Sequence, residues 1–418
     1  MKHLDLAEIC CKILHRFLSL SILGNSSHPF LCKLIEKLTQ YHVYKILSES
    51  DFAIKFKSNV ILIKSGRKGT AVSVVSNLTS KDAVIYEEDL PNIYLYCHKN
   101  VAVSYCSDHI INVTERLIAN DYLANKNDDN KTYNDKITRT LFRDIAFFYN
   151  KSNIRTIEKG IKICGKYSFN YYHDMFENLI RLVLLQDIND IIPNDIPIIV
   201  DEDIIKIPSL NCILHELTKK INRGIEIIHQ NELITVRELW SFTAINQLVP
   251  NYKNASLSKD IDYLFDKEYI QKLRNSLLSI RSNREFPQRI FITRKNTNKR
   301  NFNEDEIFSV LESYGFVKIA PEEFSIQDQI QLFYNAQWIV GGSGAALTNL
   351  LFCQSNCNVL CLIGRTGHVA TCFTTPVHFN AAKIYYYQQG NNNVVGVHSN
   401  FNVDAENFNH YFKSIIKK

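Results

Sequence analysis

From about residue 150 onward, short runs rich in Ile and Val alternate with longer amphipathic stretches, and this alternation constrains the fold most. Ile161–Cys164, Ile196–Val200 and Ile225–Ile228 read as strands, with helices expected over Tyr172–Gln186 and Leu210–Ile221. Strands separated by helical crossovers pair in parallel, because each crossover returns the chain to the same end of the sheet. A second series begins at Arg289 with a strand over Ile290–Thr293 and a helix over Glu304–Tyr314 that Gly315 closes. Phe316–Ile319 is a strand, and Ser325 caps the next helix with Asp328 at the capping-box position. Trp338–Val340 then runs into Gly341-Gly342-Ser343-Gly344, a helix from Ala345 and a strand over Val359–Ile363. The expected fold class is α/β, with two α/β halves that divide near 280–287 and face a cleft.

Residues 40–106 are strand-rich instead. Phe52–Phe56, Val60–Ile63, Ala71–Val75, Val84–Tyr86, Ile93–Cys97 and Val101–Tyr105 alternate or run apolar between turn residues. The polar run Asn125–Lys131 marks a loop or boundary. Near the start, Leu6, Ile9, Cys10, Ile13, Leu14, Phe17 and Leu20 form a helical stripe. Such a stripe most often packs on its own core, with peripheral docking on a membrane face as the alternative. Asp5, Glu8 and Lys12 interrupt the apolar runs, so neither a signal peptide nor a spanning helix is expected. A helix is also expected over Ala405–Ile416.

Charge and cysteine content exclude some classes. Lys and Arg total 48 against 43 Asp and Glu, a net +5 too small to indicate a nucleic-acid partner. The 11 cysteines include no Cys-x-x-Cys pair, which points to reduced thiols and a cytoplasmic setting. Cys353, Cys357 and Cys361 are evenly spaced, yet zinc needs a fourth ligand and none is near in sequence, so they read as buried small hydrophobes.

Four segments could carry chemistry. The first is the glycine turn, where Gly342, Ser343, Gly344, Ala345 and Ala346 open a helix whose free amides suit an anion. Gly341-x-Ser343-x-Ala345 also nearly matches a nucleophile elbow, with Asp404 and His410 downstream in triad order. The second is Arg289-Ile-Phe-Ile-Thr-Arg294 through Lys299 and Arg300, a strand that delivers cations at its C-terminal end. Arg forks bidentately onto phosphate oxygens, so Arg294 suits a diphosphate. The third is Tyr171-Tyr-His173-Asp174-Met-Phe-Glu177-Asn178-Leu-Ile-Arg181. Here His173, Glu177 and Arg181 share a helix face, and the helix N-terminus favours the neutral ring that a base requires. Asp174 is the alternative base, expected to be ionised at working pH. The fourth is Asp201-Glu202-Asp203, which resembles a metal-holding Asp-x-Asp but is also a common strand-end pattern.

The stretch 289–352 is similar to glycosyltransferase family 61 in Arg289–Arg294, Asn303-Glu304-Asp305-Glu306, Tyr314-Gly315-Phe316, Gln329-Ile330, Ala336 and Gly344-Ala-Ala-Leu-Thr-Asn-Leu-Leu-Phe352. Upstream, Tyr172-His173 through Arg181 resembles that family's His-aromatic-Glu-Arg helix. Two positions depart: Ser343 stands where the family usually has His, and Asn358-Val-Leu-Cys361-Leu lacks the usual Glu. The resemblance implies a GT-B fold of two Rossmann-like domains and an inverting, metal-independent transfer from a nucleotide-sugar, with no resident cofactor. Residues 1–282 would form the acceptor side and 283–400 the donor domain, with the C-terminal helix packing back across the cleft. Bases would be His173 or Asp174, with Glu177 orienting the ring. Donor contacts would be Arg294, Lys299, Arg300, Gly342, Ser343, Gly344, Ala345, Ala346 and Asn349. The implied setting is cytoplasmic synthesis of surface polysaccharide (capsule, O-antigen or lipopolysaccharide) on a lipid-linked oligosaccharide or other glycan acceptor. Alternatives are a serine hydrolase using Ser343 and a non-catalytic sugar-nucleotide-binding relative.

Overall fold

A computed structural model describes residues 33, 37, 41–74, 83–121, 135, 138–142, 145–149, 153–248, 263–293, 299–364, 370–388 and 399–416. The N-terminal stripe, the Asn125–Lys131 run and Arg294 lie outside the described residues.

Two sheets carry the molecule. The smaller has five parallel strands in the order Val317–Ile319, Arg289–Ile292, Trp338–Gly342, Asn358–Ile363 and Lys383–Gln388. Ile290, Ile339, Val359 and Ile384 lie side by side across four of these strands. Both faces are apolar because both are covered, as parallel sheets require. Ile290, Ile292, Ile339, Val359 and Cys361 face one core, while Phe291, Trp338, Val340, Leu360 and Leu362 face another. That split follows from the two-residue side-chain period of a strand. The second core also takes Phe408, Tyr411, Phe412 and Ile415 of the C-terminal helix Ala405–Ile416. All the buried members of that cluster come from the small sheet and its own helices and loops, so this face of the helix packs on its own sheet rather than across a cleft.

The chain enters the small sheet second from one edge, steps to that edge, then crosses back past its first strand. Strand order therefore reverses between Arg289–Ile292 and Trp338–Gly342. Carboxyl ends flanking such a reversal leave a crevice between outgoing loops, the usual ligand position in open α/β sheets.

The larger sheet is mixed. Ile225–Ile228, Ile198–Asp201, Asn153–Lys162 and Glu232–Phe242 are mutually parallel, and Glu232–Phe242 then pairs antiparallel with Ile93–Ser104. The sheet continues through Ile110–Asn112, Leu117–Ala119, Tyr41–Leu47, Ile145–Tyr149 and Thr138–Phe142. One hydrophobic cluster runs from Ile93 and Ile161 in this sheet to Ile339 and Tyr386 in the small one. The helices Ile180–Ile188, Pro208–Thr218, Lys267–Leu278 and Ile326–Asn335 fill the space between them.

Some expectations need correction. Phe52–Phe56 is not a strand; Glu49–Lys55 is helical, because Ser48 caps it through the Asp51 amide at 3.0 Å. Glu49 and Asp51 add favourable charge to its first turn. The expected strands Ile93–Cys97 and Val101–Tyr105 are one strand, with Asn100 in the left-handed region at φ 54° as a local irregularity. Asn tolerates that conformation better than most residues, so a polar Lys-Asn pair read as a turn continues the ladder. The strand Glu232–Phe242, the helices Lys267–Leu278 and Ala370–His378 and the strand Lys383–Gln388 were not anticipated.

None of the eight described cysteines forms a disulfide, and all but half-buried Cys212 are buried. No described helix is long and apolar enough to cross a membrane.

Candidate active site

The His173 segment starts as a helix capped by Asn170, whose Oδ1 accepts from the Tyr172 amide at 3.0 Å. One continuous helix was expected, but Asp174–Asn178 forms a π-helical turn before Ile180–Ile188 resumes the regular winding. The wide turn is closed by Leu179 N donating to Asp174 O at 2.7 Å, and inside it Asn178 Nδ2 donates to Asp174 Oδ1 at 2.8 Å. Such turns are rare and occur preferentially at functional sites.

His173 Nδ1 lies 2.6 Å from Glu177 Oε1, and both side chains keep about a fifth of their surface exposed, 22% and 18%. A carboxylate at Nδ1 selects the tautomer with its proton there, which leaves the lone pair on Nε2. The Tyr167 ring lies 4.7 Å from the imidazole and the Tyr172 ring stands edge-on at 5.3 Å, fixing its plane.

Asp174 is a correction. Its side chain is fully buried, and burial, reinforced by Asp201 and Glu177, pushes its pKa well above the ordinary carboxylate range despite the Asn178 bond. A buried carboxyl whose pKa burial raises is not the ionised alternative base expected from the sequence. It holds the π-turn instead.

Glu177 and Arg181 reach a cavity of about 450 Å³, also lined by Lys166, Tyr167, Tyr94 and Tyr96. Arg181 donates to Cys164 O at 3.2 Å. Beside it Gly165 permits a close approach: a Cβ there would stand 2.3 Å from Asn178 Oδ1 and 2.6 Å from Asp108 Oδ1.

Across from this helix stands the glycine turn. Gly342 ends its strand paired with Leu362, and Ser343 N donates to Leu362 O at 3.0 Å. Gly344 precedes a 3₁₀ helix over Ala345–Phe352, narrower than the α-helix expected, with Leu347 N bonded back to Gly344 O at 2.9 Å. Ser343 is buried, and Ala345 and Ala346 are half-exposed at the mouth of the turn. Lys299 is exposed. Arg300 is half-buried, its guanidinium 5.6 Å from the Phe373 ring, and desolvation lowers its pKa.

Two contacts join these segments. Tyr171 OH donates to Asn349 Oδ1 at 2.7 Å, and Asn349 Nδ2 donates onward to Gln329 Oε1 at 2.9 Å. Asn349 was expected at the donor, yet these bonds engage both ends of its amide inside the protein. Phe373 lies between Tyr172, 4.9 Å away ring to ring, and Arg300. The His173 helix, the glycine turn and the basic segment therefore converge where the strand order reverses. Sequence reasoning missed Phe373, because its helix contains Pro376, and a proline argues against a helix interior. Tyr171→Phe should lower stability by about 1–3 kcal/mol, since it leaves a buried amide oxygen without its donor. A denaturant midpoint indistinguishable from the parent would remove Tyr171–Asn349 as the link.

The acid triplet diverges. Asp201 is buried and accepts from Cys106 N at 2.9 Å and Gly165 N at 3.3 Å. Glu202 meets Lys206 at 3.0 Å and His229 at 3.1 Å, while Asp203 accepts from Tyr105 OH. Among the described residues no three His, Cys, Asp or Glu side chains are placed to hold a metal ion. Asp404 accepts from the Asn407 amide at 2.8 Å as a helix cap, and His410 is exposed on that helix.

Residues 171–360 match the family model of glycosyltransferase 61. No curated protein matches the chain. The match opens at Tyr171, the residue that reaches across to Asn349, and closes in the strand Asn358–Ile363. That span, which holds the His173 helix and the glycine turn alike, carries a glycosyltransferase 61 domain, and the chain is a transferase.

Proposed function

We propose that this chain transfers a sugar, with inversion, from a nucleotide-sugar (a UDP-sugar first among candidates) to a hydroxyl of a glycan acceptor. The observation that carries the proposal is the Tyr171–Asn349 hydrogen bond, which sets a His–Glu pair and a glycine turn on either side of one crevice. In this reading the arrangement is GT-B, with residues 1–282 on the acceptor side and 283–400 as the donor domain. Backbone amides at Gly344, Ala345 and Ala346, with Gly342 and Ser343 in the turn, would receive the diphosphate. Arg294, Lys299 and Arg300 would offset its charge. His173 Nε2 would take the acceptor proton while the hydroxyl attacks the anomeric carbon from the face opposite the diphosphate.

With those cations and amides to stabilise the leaving diphosphate, the reaction needs no divalent metal. Turnover should persist in EDTA; loss on chelation with recovery on adding manganese would overturn this point. Cytoplasmic synthesis of capsule, O-antigen or lipopolysaccharide on a lipid-linked acceptor, with the protein peripheral to the membrane, is the setting that fits a transferase of this kind. Transfer rather than hydrolysis is favoured because the family match includes Ser343 but ends before Asp404 and His410, the other two members of the triad that the hydrolase alternative needs. A thermal-shift panel of UDP-, GDP-, CMP- and dTDP-sugars tests the reading. A true donor at 100 times its dissociation constant adds about 2.7 kcal/mol. A flat response across the panel would sink it.

A further inference from the structure

The cavity beside the His173 helix has chemically different ends. Near the helix, Lys166 Nζ lies 4.6 Å over the Tyr167 ring, and Arg181 Nη2 comes within 3.9 Å of Asp108. Arg181 is buried, and its Nε has no hydrogen-bond partner. At the far end Asp121 Oδ1 accepts from the Glu49 amide at 2.6 Å. The Glu49 carboxylate, 12% exposed, accepts from Ser241 Oγ at 2.6 Å and lies 3.4 Å from His98 Nε2. Between the ends stand Tyr94 and Tyr96, ring centroids 6.1 Å apart. The lining thus holds four carboxylates, from Glu49, Asp108, Asp121 and Glu177, against two cations.

Resting on the transferase reading above, the geometry points to this cavity as the acceptor subsite, shaped for a sugar that carries no negative charge. The size falls within the range of small-ligand pockets. A pyranose ring presents a C–H face that packs on an aromatic side chain, and half-buried Tyr94 in the lining keeps exposed surface. Hydroxyl or ammonium donors on the sugar find acceptors at the Glu49 and Asp121 end. Lys166 and Arg181, the two cations of the lining, stand at the other end. Glu177, one turn from His173, borders the same cavity, so a hydroxyl bound there lies on the side of the proposed base. A uronic or otherwise anionic sugar meets like charge from four carboxylates, and a partly enclosed site screens that repulsion poorly. Discrimination here comes from an unfavourable contact built against the wrong substrate as well as from contacts with the right one.

The test is binding of methyl glycosides to the full chain, followed by saturation-transfer NMR with UDP present. The panel holds neutral glycosides (glucoside, galactoside, xyloside), a glucosaminide and a glucuronide. Neutral or amino glycosides should bind at least tenfold more tightly than the glucuronide. Glu49→Gln should narrow that gap and weaken the glucosaminide most. Should Glu49→Gln fail to fold, Asp108→Asn makes the same test from the other end, where it should improve glucuronide binding. A purely structural role for either carboxylate would change all glycosides alike. Equal or tighter glucuronide binding overturns the inference, as does absence of binding by every neutral and amino glycoside. UDP stabilisation read on the same samples separates the failures: stabilisation without glycoside binding rejects this inference and leaves the transferase reading standing.

Discussion

His173→Ala should lower turnover by about 10²–10⁴-fold while nucleotide binding is retained, the range a correctly placed general base supplies. The displacement needs one group to accept a proton as the acceptor oxygen attacks, and His173 offers Nε2 because Nδ1 is bonded to Glu177 at 2.6 Å. Glu177→Gln keeps a hydrogen-bonding group at that position but removes the charge that favours the developing imidazolium. It should cost less than loss of the ring itself, and the loss should appear in kcat rather than in nucleotide affinity. Asp174→Asn should leave the chemistry intact, since the carboxyl it replaces is fully buried and bonded to Asn178, and burial disfavours its charged form. Assaying the three variants with one donor and following nucleotide affinity in parallel distinguishes base, orienting group and scaffold. Near-normal turnover in His173→Ala, in a protein that still binds its nucleotide, ends the assignment.

Much of this was legible in the sequence where local chemistry and tertiary structure agree. Ser325 does cap Ile326–Asn335 through the Asp328 amide at 3.1 Å, and Ile225–Ile228 and Ala405–Ile416 form with the bounds expected. The i, i+4 spacing of His173 and Glu177 correctly implied contact, because a single helical turn decides it. The π-turn was not legible, since nothing local forces an extra residue into Asp174–Asn178. Burial inside that turn is the main cause of the raised Asp174 pKa, and the Asp201 carboxyl that adds to it lies 27 positions along the chain. Burial is likewise a tertiary property, so an aspartate that looked ionised from its neighbours in sequence has its charged form disfavoured in the fold. The Tyr171–Asn349 bond joins residues 178 apart, and pattern reading has no access to such a pair. Phe52–Phe56 failed for the opposite reason. The apolar alternation was real, but Ser48 and two acidic residues next to it supplied a stronger local signal for a helix start.

Buried acids matter for stability as well as for the site, and Asp201→Asn should change how stability depends on pH. Burial raises the Asp201 pKa from 3.8 to about 7, against the opposing pull of the Cys106 and Gly165 amides and Lys162. Between about pH 4 and 7 the folded chain therefore keeps a proton that the unfolded chain has released. Unfolding sheds that proton, so stability falls as pH rises through this window and is level above it. Taken over the whole window the fall is on the order of 4 kcal/mol. His378 acts in the other direction: burial lowers its pKa from 6.5 to about 4, so the unfolded chain binds the extra proton and stability rises with pH up to about 6.5. The two trends offset each other in the parent protein, which is why the variant rather than the parent profile is informative. Asp201→Asn removes the falling limb and leaves the rising one. Whatever fixed cost the amide carries beside two backbone donors, the variant should gain on the parent from pH 4.5 to about pH 7 and hold that gain to pH 8. Urea unfolding of both proteins at those two pH values measures the difference. A gap between them that does not change with pH would show that Asp201 is ionised in the fold.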